Sequence, residues 1–279
     1  MTGRLRGAVR ALLLASWFGA AAFAVAVITL ASPLTRDRGA RLRAAAFRAW
    51  SRVATRIVGL RIEATGPAPR GSFFLVANHL SYLDVIVLGA TVRATFVAKA
   101  EVAAWPLIGR LCRALGTVFL DRTRKRDLLR VLPILDQRLR AGHGVVIFPE
   151  GTTGDGSRVL PFRSPLFAAA TRAGLPAHVA TLTYETPAGA AHPSEAICWW
   201  GDMAFVPHLL AFLRLPRSTA RLAFERHPIT DRDRKRLAIA AHAGIARRFV
   251  PVRRGEEECL PVPSPLPRTS TSFVREPIC

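Results

Sequence analysis

Residues 78–84 read Asn-His-Leu-Ser-Tyr-Leu-Asp and close a short apolar run at 72–77. A histidine in a polar turn, with a carboxylate five residues on, is a pairing that can move a proton. The carboxylate on one imidazole nitrogen fixes the tautomer and stabilises the imidazolium, and the other nitrogen can then accept a proton from a hydroxyl. Geometry sets a condition on this chemistry. Five residues along a straight helix rotate through about 500°, which leaves the two side chains about 140° apart. His79 must therefore lie outside the helix, and Asp84 in its first turn, if they are to meet. The same residues have a plainer use. Ser81 and Asp84 form an S-x-x-D capping pattern, which alone accounts for Asp84. On these seven residues both readings stand.

The surrounding pattern supplies a scaffold for the turn. From residue 60 short apolar runs alternate with helical segments. Strands are expected at 60–65, 72–77, 94–98, 116–120, 144–148, 177–184, 196–200 and 219–225. Helices are expected at 82–90, 103–114, 124–141, 164–173, 205–213 and 231–249. Continuous apolar strands alternating with helices predict an α/β fold, with a mixed, largely parallel sheet flanked by helices. In such sheets ligands sit beyond the carboxyl ends of the strands, where 78–84 falls.

An N-terminal membrane helix is expected ahead of this domain. Residues 11–32 carry no charge, and as a helix they would span roughly 33 Å against a hydrocarbon core of about 30 Å. A cleaved signal peptide and a buried core helix are the competing readings, although a signal peptide's apolar region is usually about 7–15 residues. Arg4, Arg6 and Arg10 precede the run, and Arg36, Arg38, Arg41, Arg43, Arg48, Arg52 and Arg56 follow it. The excess on the second side places the main domain on the cytoplasmic face of the inner or plasma membrane. The organisation expected is thus an anchor at 1–35, a basic amphipathic segment at 36–58, a catalytic domain at 59–250 and a Pro-rich, poorly ordered tail at 251–279. The segment 36–58 would lie on anionic lipid, or pack on the domain as an ordinary surface helix.

Three further blocks surround the His79 turn in the sequence. They are Gly116-Thr117-Val118-Phe119-Leu120-Asp121-Arg122, then Phe148-Pro149-Glu150-Gly151-Thr152, then Leu175-Pro176-Ala177-His178-Val179-Ala180. With Asn78–Asp84 they resemble, in order and spacing, the four blocks of the glycerolipid acyltransferase family, over roughly residues 70–185. The resemblance implies transfer of a fatty acyl group from a thioester, on acyl carrier protein or coenzyme A, to the free hydroxyl of a lysolipid. His79 would be the base and Asp84 its orienting partner, with no acyl-enzyme, no metal and no cofactor beyond the acyl co-substrate. Arg122 would meet an anionic head group, while Glu150, Gly151 and Thr152 would shape the acceptor pocket. Without the resemblance, Arg122 reads equally as an ion-pair partner of Asp121 or Asp127. Many members carry arginine or lysine after the F-P-E-G-T block, where this chain has Thr153, and Arg158 is the expected substitute. The Gly-rich turn at 154–156 would add backbone N–H groups. The acceptor expected is 1-acyl-sn-glycerol-3-phosphate. The variant block also resembles lyso-ornithine lipid acyltransferases, and a thioester-independent transacylase is a further alternative.

Composition narrows the rivals. The 279 residues carry 40 Lys+Arg against 19 Asp+Glu, a formal net charge of +21. All but Lys99, Lys125 and Lys235 of these cations are arginine, a bias that genome composition alone can produce. Charge by itself would favour a nucleic-acid or anionic-surface binder. The cations are spread along the chain with no recognition motif, so membrane lipid is the expected partner and no specific nucleic acid is. There is no G-x-S-x-G for a serine hydrolase and no G-x-x-x-x-G-K for a nucleotide hydrolase. The four cysteines form no C-x-x-C pair, which argues against a structural zinc site.

Overall fold

The structure is a computed structural model that describes residues 2–31, 36–124 and 126–252. Apart from its first two residues, the expected tail at 251–279 lies outside the described residues. Seven strands form one sheet: β1 (Leu60–Thr65), β2 (Phe74–Ala77), β3 (Ala94–Lys99), β4 (Val118–Leu120), β5 (Gly144–Ile147), β6 (Ala177–Glu185) and β7 (Ser218–Phe224). Their spatial order is β1-β7-β6-β2-β5-β3-β4. Every pairing is parallel except β6 with β7. The sheet is mixed and largely parallel, as the alternating pattern requires.

Helices cover both faces, which explains the continuous apolar strands. In β2 the residues alternate between two cores. Leu75 and Ala77 join one cluster, with Leu83, Val87 and Leu88 of α3 (Leu83–Thr91). Phe74 and Val76 join the other, with Val131 and Leu135 of α5 (Asp127–Arg140), Ala169 and Ala170 of α6 (Ala168–Ala173), and Leu237 and Ala241 of α9 (Arg234–Arg248). A strand sandwiched in this way has no polar face to show.

The connections place the site. From β2 the chain crosses over β5 to reach β3. From β5 it crosses over β2 to reach β6. The first crossover carries α3 on one face and the second carries α6 on the other. The carboxyl ends of β2 and β5 therefore bound a crevice at the switch point between the two windings.

Two expected elements take other forms. Residues 196–200 are not a strand. α7 (Pro193–Ala196) leads into an irregular segment in which the Ile197 and Cys198 N–H groups donate to the Pro193 carbonyl and the Trp199 N–H to the Leu80 carbonyl. Its apolarity reflects burial over the His79 turn, since Ile197 and Cys198 are fully buried. The helix expected over 103–114 is split into a 3₁₀ turn at Ala100–Ala104 and α4 (Ile108–Ala114). Pro106 holds Trp105 extended and ends the first piece.

At the N-terminus α1 (Gly3–Ala31) is long and apolar enough to cross a membrane by length and composition. It packs on α2 (Arg36–Val58). The Trp17 indole N–H donates to the Trp50 carbonyl at 3.1 Å, and the Phe18 and Trp50 rings meet edge to face at 4.8 Å. Arg10 donates to the carbonyls of Leu213, Leu215 and Pro216, at the end of α8 (Phe205–Leu213). Leu5, Val9, Leu12, Leu13 and Phe23 remain exposed on its outer side.

Candidate active site

Asn78 is the hinge on which the chain leaves the sheet. Beyond the Ala77–Ala180 pair of the β2–β6 ladder, the main chain no longer continues the ladder. The Asn78 amide takes its place, donating to the Leu182 carbonyl at 2.9 Å and accepting from the Leu182 N–H at 2.7 Å. A side chain that mimics a backbone rung lets the following residue turn away at no loss of buried hydrogen bonds.

That following residue is His79, and the turn brings it back onto Asp84. His79 Nδ1 lies 2.7 Å from Asp84 Oδ2. The same oxygen accepts the N–H groups of Leu80 at 2.7 Å and Ser81 at 2.9 Å. Asp84 Oδ1 accepts the Tyr184 hydroxyl. Four donors thus converge on one fully buried carboxylate, which offsets the cost of removing it from water. Two neighbouring N–H groups already point at Oδ2, so the ring meets an acceptor there and must donate from Nδ1. Nε2 is left with its lone pair. The ring stacks on Phe148, centroids 4.0 Å apart and planes within 15°, and its side chain keeps 17% exposure. The two uses of Asp84 are geometrically compatible: the carboxylate takes the Ser81 N–H at the start of the helix and meets the imidazole as well.

Glu150 braces the turn from β5. One carboxyl oxygen accepts the His79 N–H at 2.7 Å and the other the Leu160 N–H at 2.9 Å. Both oxygens hold main chain, so Glu150 fixes where His79 sits. Burial pushes its carboxyl up to about 8, against the opposing pull of the two N–H groups. Gly151 has φ +79, a left-handed turn that favours glycine. Its N–H donates to the Phe148 carbonyl, so it is not available to an oxyanion. The Gly154 N–H likewise goes to the His79 carbonyl. In the turn at 154–156 the Asp155 carboxylate takes the Ser157 N–H and hydroxyl, which fixes the loop that follows. Thr152 is exposed beside Gly151.

A cation not singled out in the sequence lies against Gly151. Arg163 folds back so that a Cβ on Gly151 would lie 3.3 Å from its Nε. Its charge is also felt at Arg122, whose guanidinium is pushed below the usual arginine range by burial first and by Arg163 second. Arg122 is outside the ion pairs considered for it: Asp121 pairs with Arg124 and Asp127 with Arg130. Arg158 is exposed on the same loop. Arg163 thus lies against Gly151, and Arg122 is near enough to feel its charge.

Sequence reasoning missed Tyr184 and Arg163. Tyr184 is an unremarked aromatic at the end of β6. Burial, with Asp84 beside it, pushes the Tyr184 phenol well above its ordinary range, which keeps it a donor. No spacing rule could have linked it to a carboxylate 100 residues earlier. Arg163 was one basic residue among 40.

Comparison with known proteins places the chain in a family. A family model described as Acyltransferase matches residues 60–185. A lyso-ornithine lipid O-acyltransferase of Rhodobacter capsulatus is 39% identical over 201 residues, covering 70% of this chain and 72% of the relative. A 1-acyl-sn-glycerol-3-phosphate acyltransferase of Neisseria meningitidis is 33% identical, covering 60% of this chain and 64% of its own. The crystal structure of the 1-acyl-sn-glycerophosphate acyltransferase of Thermotoga maritima superposes with a TM-score of 0.57 at 21% identity, over 87% of this chain and 97% of that one, and shares the fold. Matched in sequence across most of the Rhodobacter relative, and in its central block by the family model, this chain belongs to the acyltransferase family and is an enzyme of that class.

Proposed function

We propose that the chain moves a fatty acyl group from a thioester to the free hydroxyl of a lysolipid, with His79 as general base. The observation that carries this is the 2.7 Å contact between His79 Nδ1 and the buried Asp84, which turns Nε2 outward as an acceptor. The acceptor hydroxyl gives its proton to Nε2 as its oxygen attacks the thioester carbonyl. Asp84 stabilises the imidazolium that results. As the tetrahedral intermediate collapses, the C–S bond breaks and Nε2–H returns the proton to the departing sulfur. Ester and free thiol are the products, with no covalent enzyme intermediate and no cofactor. Acyl carrier protein and coenzyme A thioesters both supply the required bond.

Arg122 and Arg163 suit an anion on the acceptor. A phosphate, as in 1-acyl-sn-glycerol-3-phosphate, and the carboxylate of a lyso-ornithine lipid both meet that requirement. The relatives' names support either acceptor, and Thr153 in place of a basic residue favours ornithine. The membrane supplies these lipids, and the arginine excess after α1 supports the cytoplasmic face. Arg10 ties the start of α1 back to the domain, which supports a helix pair dipping into one face of the membrane.

The test is purified protein with a labelled acyl thioester and the two lysolipids side by side. Product from either acceptor, abolished in His79→Ala, upholds the reading. Product formed without any added thioester would replace it with transacylation.

A further inference from the structure

At the end of the sheet opposite His79 lies a hollow of about 610 Å³. Phe73, just before β2, and Ala94 and Gly144, at the starts of β3 and β5, are among the residues that line it. Four arginines line it: Arg41 and Arg48 from α2, Arg70 from the β1–β2 loop and Arg93 from the α3–β3 turn. No Asp or Glu is among its described lining residues. Elsewhere in the chain Arg61, Arg130, Arg140, Arg221, Arg236 and Arg248 are paired with carboxylates.

In a chain of net charge +21, unpaired arginines on a solvated face are expected. These four differ because all of them line one concavity. Arg48 is half-buried, with the Ala90 carbonyl as its described acceptor at 3.4 Å. Burial, then the charges of Arg52, Arg93 and Arg70, push it below the ordinary arginine range. Like charges gathered around a recess oppose folding unless an anion relieves them. Gly71 and Gly142 leave open space on the rim, where a side chain would meet nothing.

We infer that this hollow is an anion site that takes a phosphate group, remote from the acyl-transfer centre. Guanidinium groups approaching from three segments match a tetrahedral oxyanion. The phosphate could belong to an anionic phospholipid at the membrane surface, since α2 follows the membrane helix and supplies two of the four arginines. It could equally be carried by a soluble phosphate compound.

The experiment uses the full-length protein in two arms. One measures partition onto phosphatidylcholine vesicles with and without phosphatidylglycerol. The other measures the melting temperature in neutral detergent with inorganic phosphate. Each arm compares wild type, Arg70→Ala/Arg93→Ala, and a control of equal charge change, Arg172→Ala/Arg232→Ala. All four positions are exposed and outside the acyl-transfer site, so acyl transfer in detergent should be unchanged in both variants. If lipid is the source, the 70/93 variant loses about tenfold or more of its preference for phosphatidylglycerol, while the control loses less than about threefold. If the source is soluble, phosphate raises the wild-type and control melting temperatures but not that of the 70/93 variant, and the vesicle arm shows no difference between the variants. A 70/93 variant that matches the control in both arms overturns the proposal.

Discussion

Replacing Asp84 by Asn separates orientation from charge, because the structure determines which atom goes where. Oδ2 accepts from His79 Nδ1, Leu80 N–H and Ser81 N–H, and Oδ1 accepts from Tyr184. Two backbone donors demand an oxygen on the His79 side, so the new amide nitrogen must face Tyr184. The phenol oxygen can accept from it, at the cost of the acceptor that the buried Tyr184 hydroxyl now has in Oδ1. The variant should still fold and keep the His79 tautomer, with stability lowered by about 1–3 kcal/mol for the displaced Tyr184 donor. What it loses is the charge facing the imidazolium. Two unit charges about 4 Å apart at an effective dielectric constant of about 20 interact by about 4 kcal/mol. That is roughly 10²–10³-fold in the rate of acyl transfer. A tautomer error would add to this, and the backbone donors prevent it. The assay is the initial rate with a labelled acyl thioester, on protein free of host acyltransferase, beside a thermal melt. If Asp84 served only as a helix cap, Asn would do nearly as well. A folded variant within about threefold of wild-type activity would refute the charge argument.

His79→Ala should lose at least about 100-fold in acyl transfer while still folding and binding membranes, because positioned base catalysis contributes about 10²–10⁴-fold; near-wild-type turnover would remove His79 from the chemistry. Tyr184→Phe should lower kcat by about tenfold and stability by about 1–3 kcal/mol, since one oxygen of a buried carboxylate loses its donor; kcat and thermal melts check both. Arg122→Ala and Arg163→Ala should each raise the acceptor KM more than the donor KM, with Arg158→Ala the mildest of the three, and unaltered acceptor kinetics in the first two would place neither at the head group. Glu150 has a folded value of about 8, above its unfolded one. The folded state thus holds the proton more tightly, so stability should be fully present below about pH 4.5 and fall as pH rises towards about 8. Melts across that range should show the fall in wild type and a flatter profile in Glu150→Gln, and equal profiles would show that Glu150 does not titrate there.

The layered α/β plan was legible because burial on both faces writes itself into composition. β2 and β5 are short runs of apolar residues with no polar face, and turns bound them. The two failures have separate physical origins. Residues 196–200 are as apolar as a strand, but they are buried by the segment they cover and not by a sheet. Composition registers burial and is silent on where the backbone N–H groups go. The helix expected over 103–114 ignored Pro106, although the residue before a proline resists the helical conformation.

For the site, locality decides what can be read. His79 and Asp84 lie within one turn of chain, so their pairing follows from spacing once His79 is placed outside the helix. Asn78 with Leu182, Tyr184 with Asp84, and Glu150 with His79 span 104, 100 and 71 residues. Those contacts exist only because β2 lies between β5 and β6 in the sheet, and strand order is not a property of any short segment. The capping and catalytic readings of Asp84 looked exclusive only while a carboxylate was treated as having one partner. It offers two oxygens with several lone pairs. The Leu80 and Ser81 donors hold Oδ2 in place, and the aim of the imidazole depends on where Oδ2 is held. The helix-start hydrogen bond is therefore part of what orients His79, and a substitution that kept the charge but broke the Ser81 contact should also lose activity.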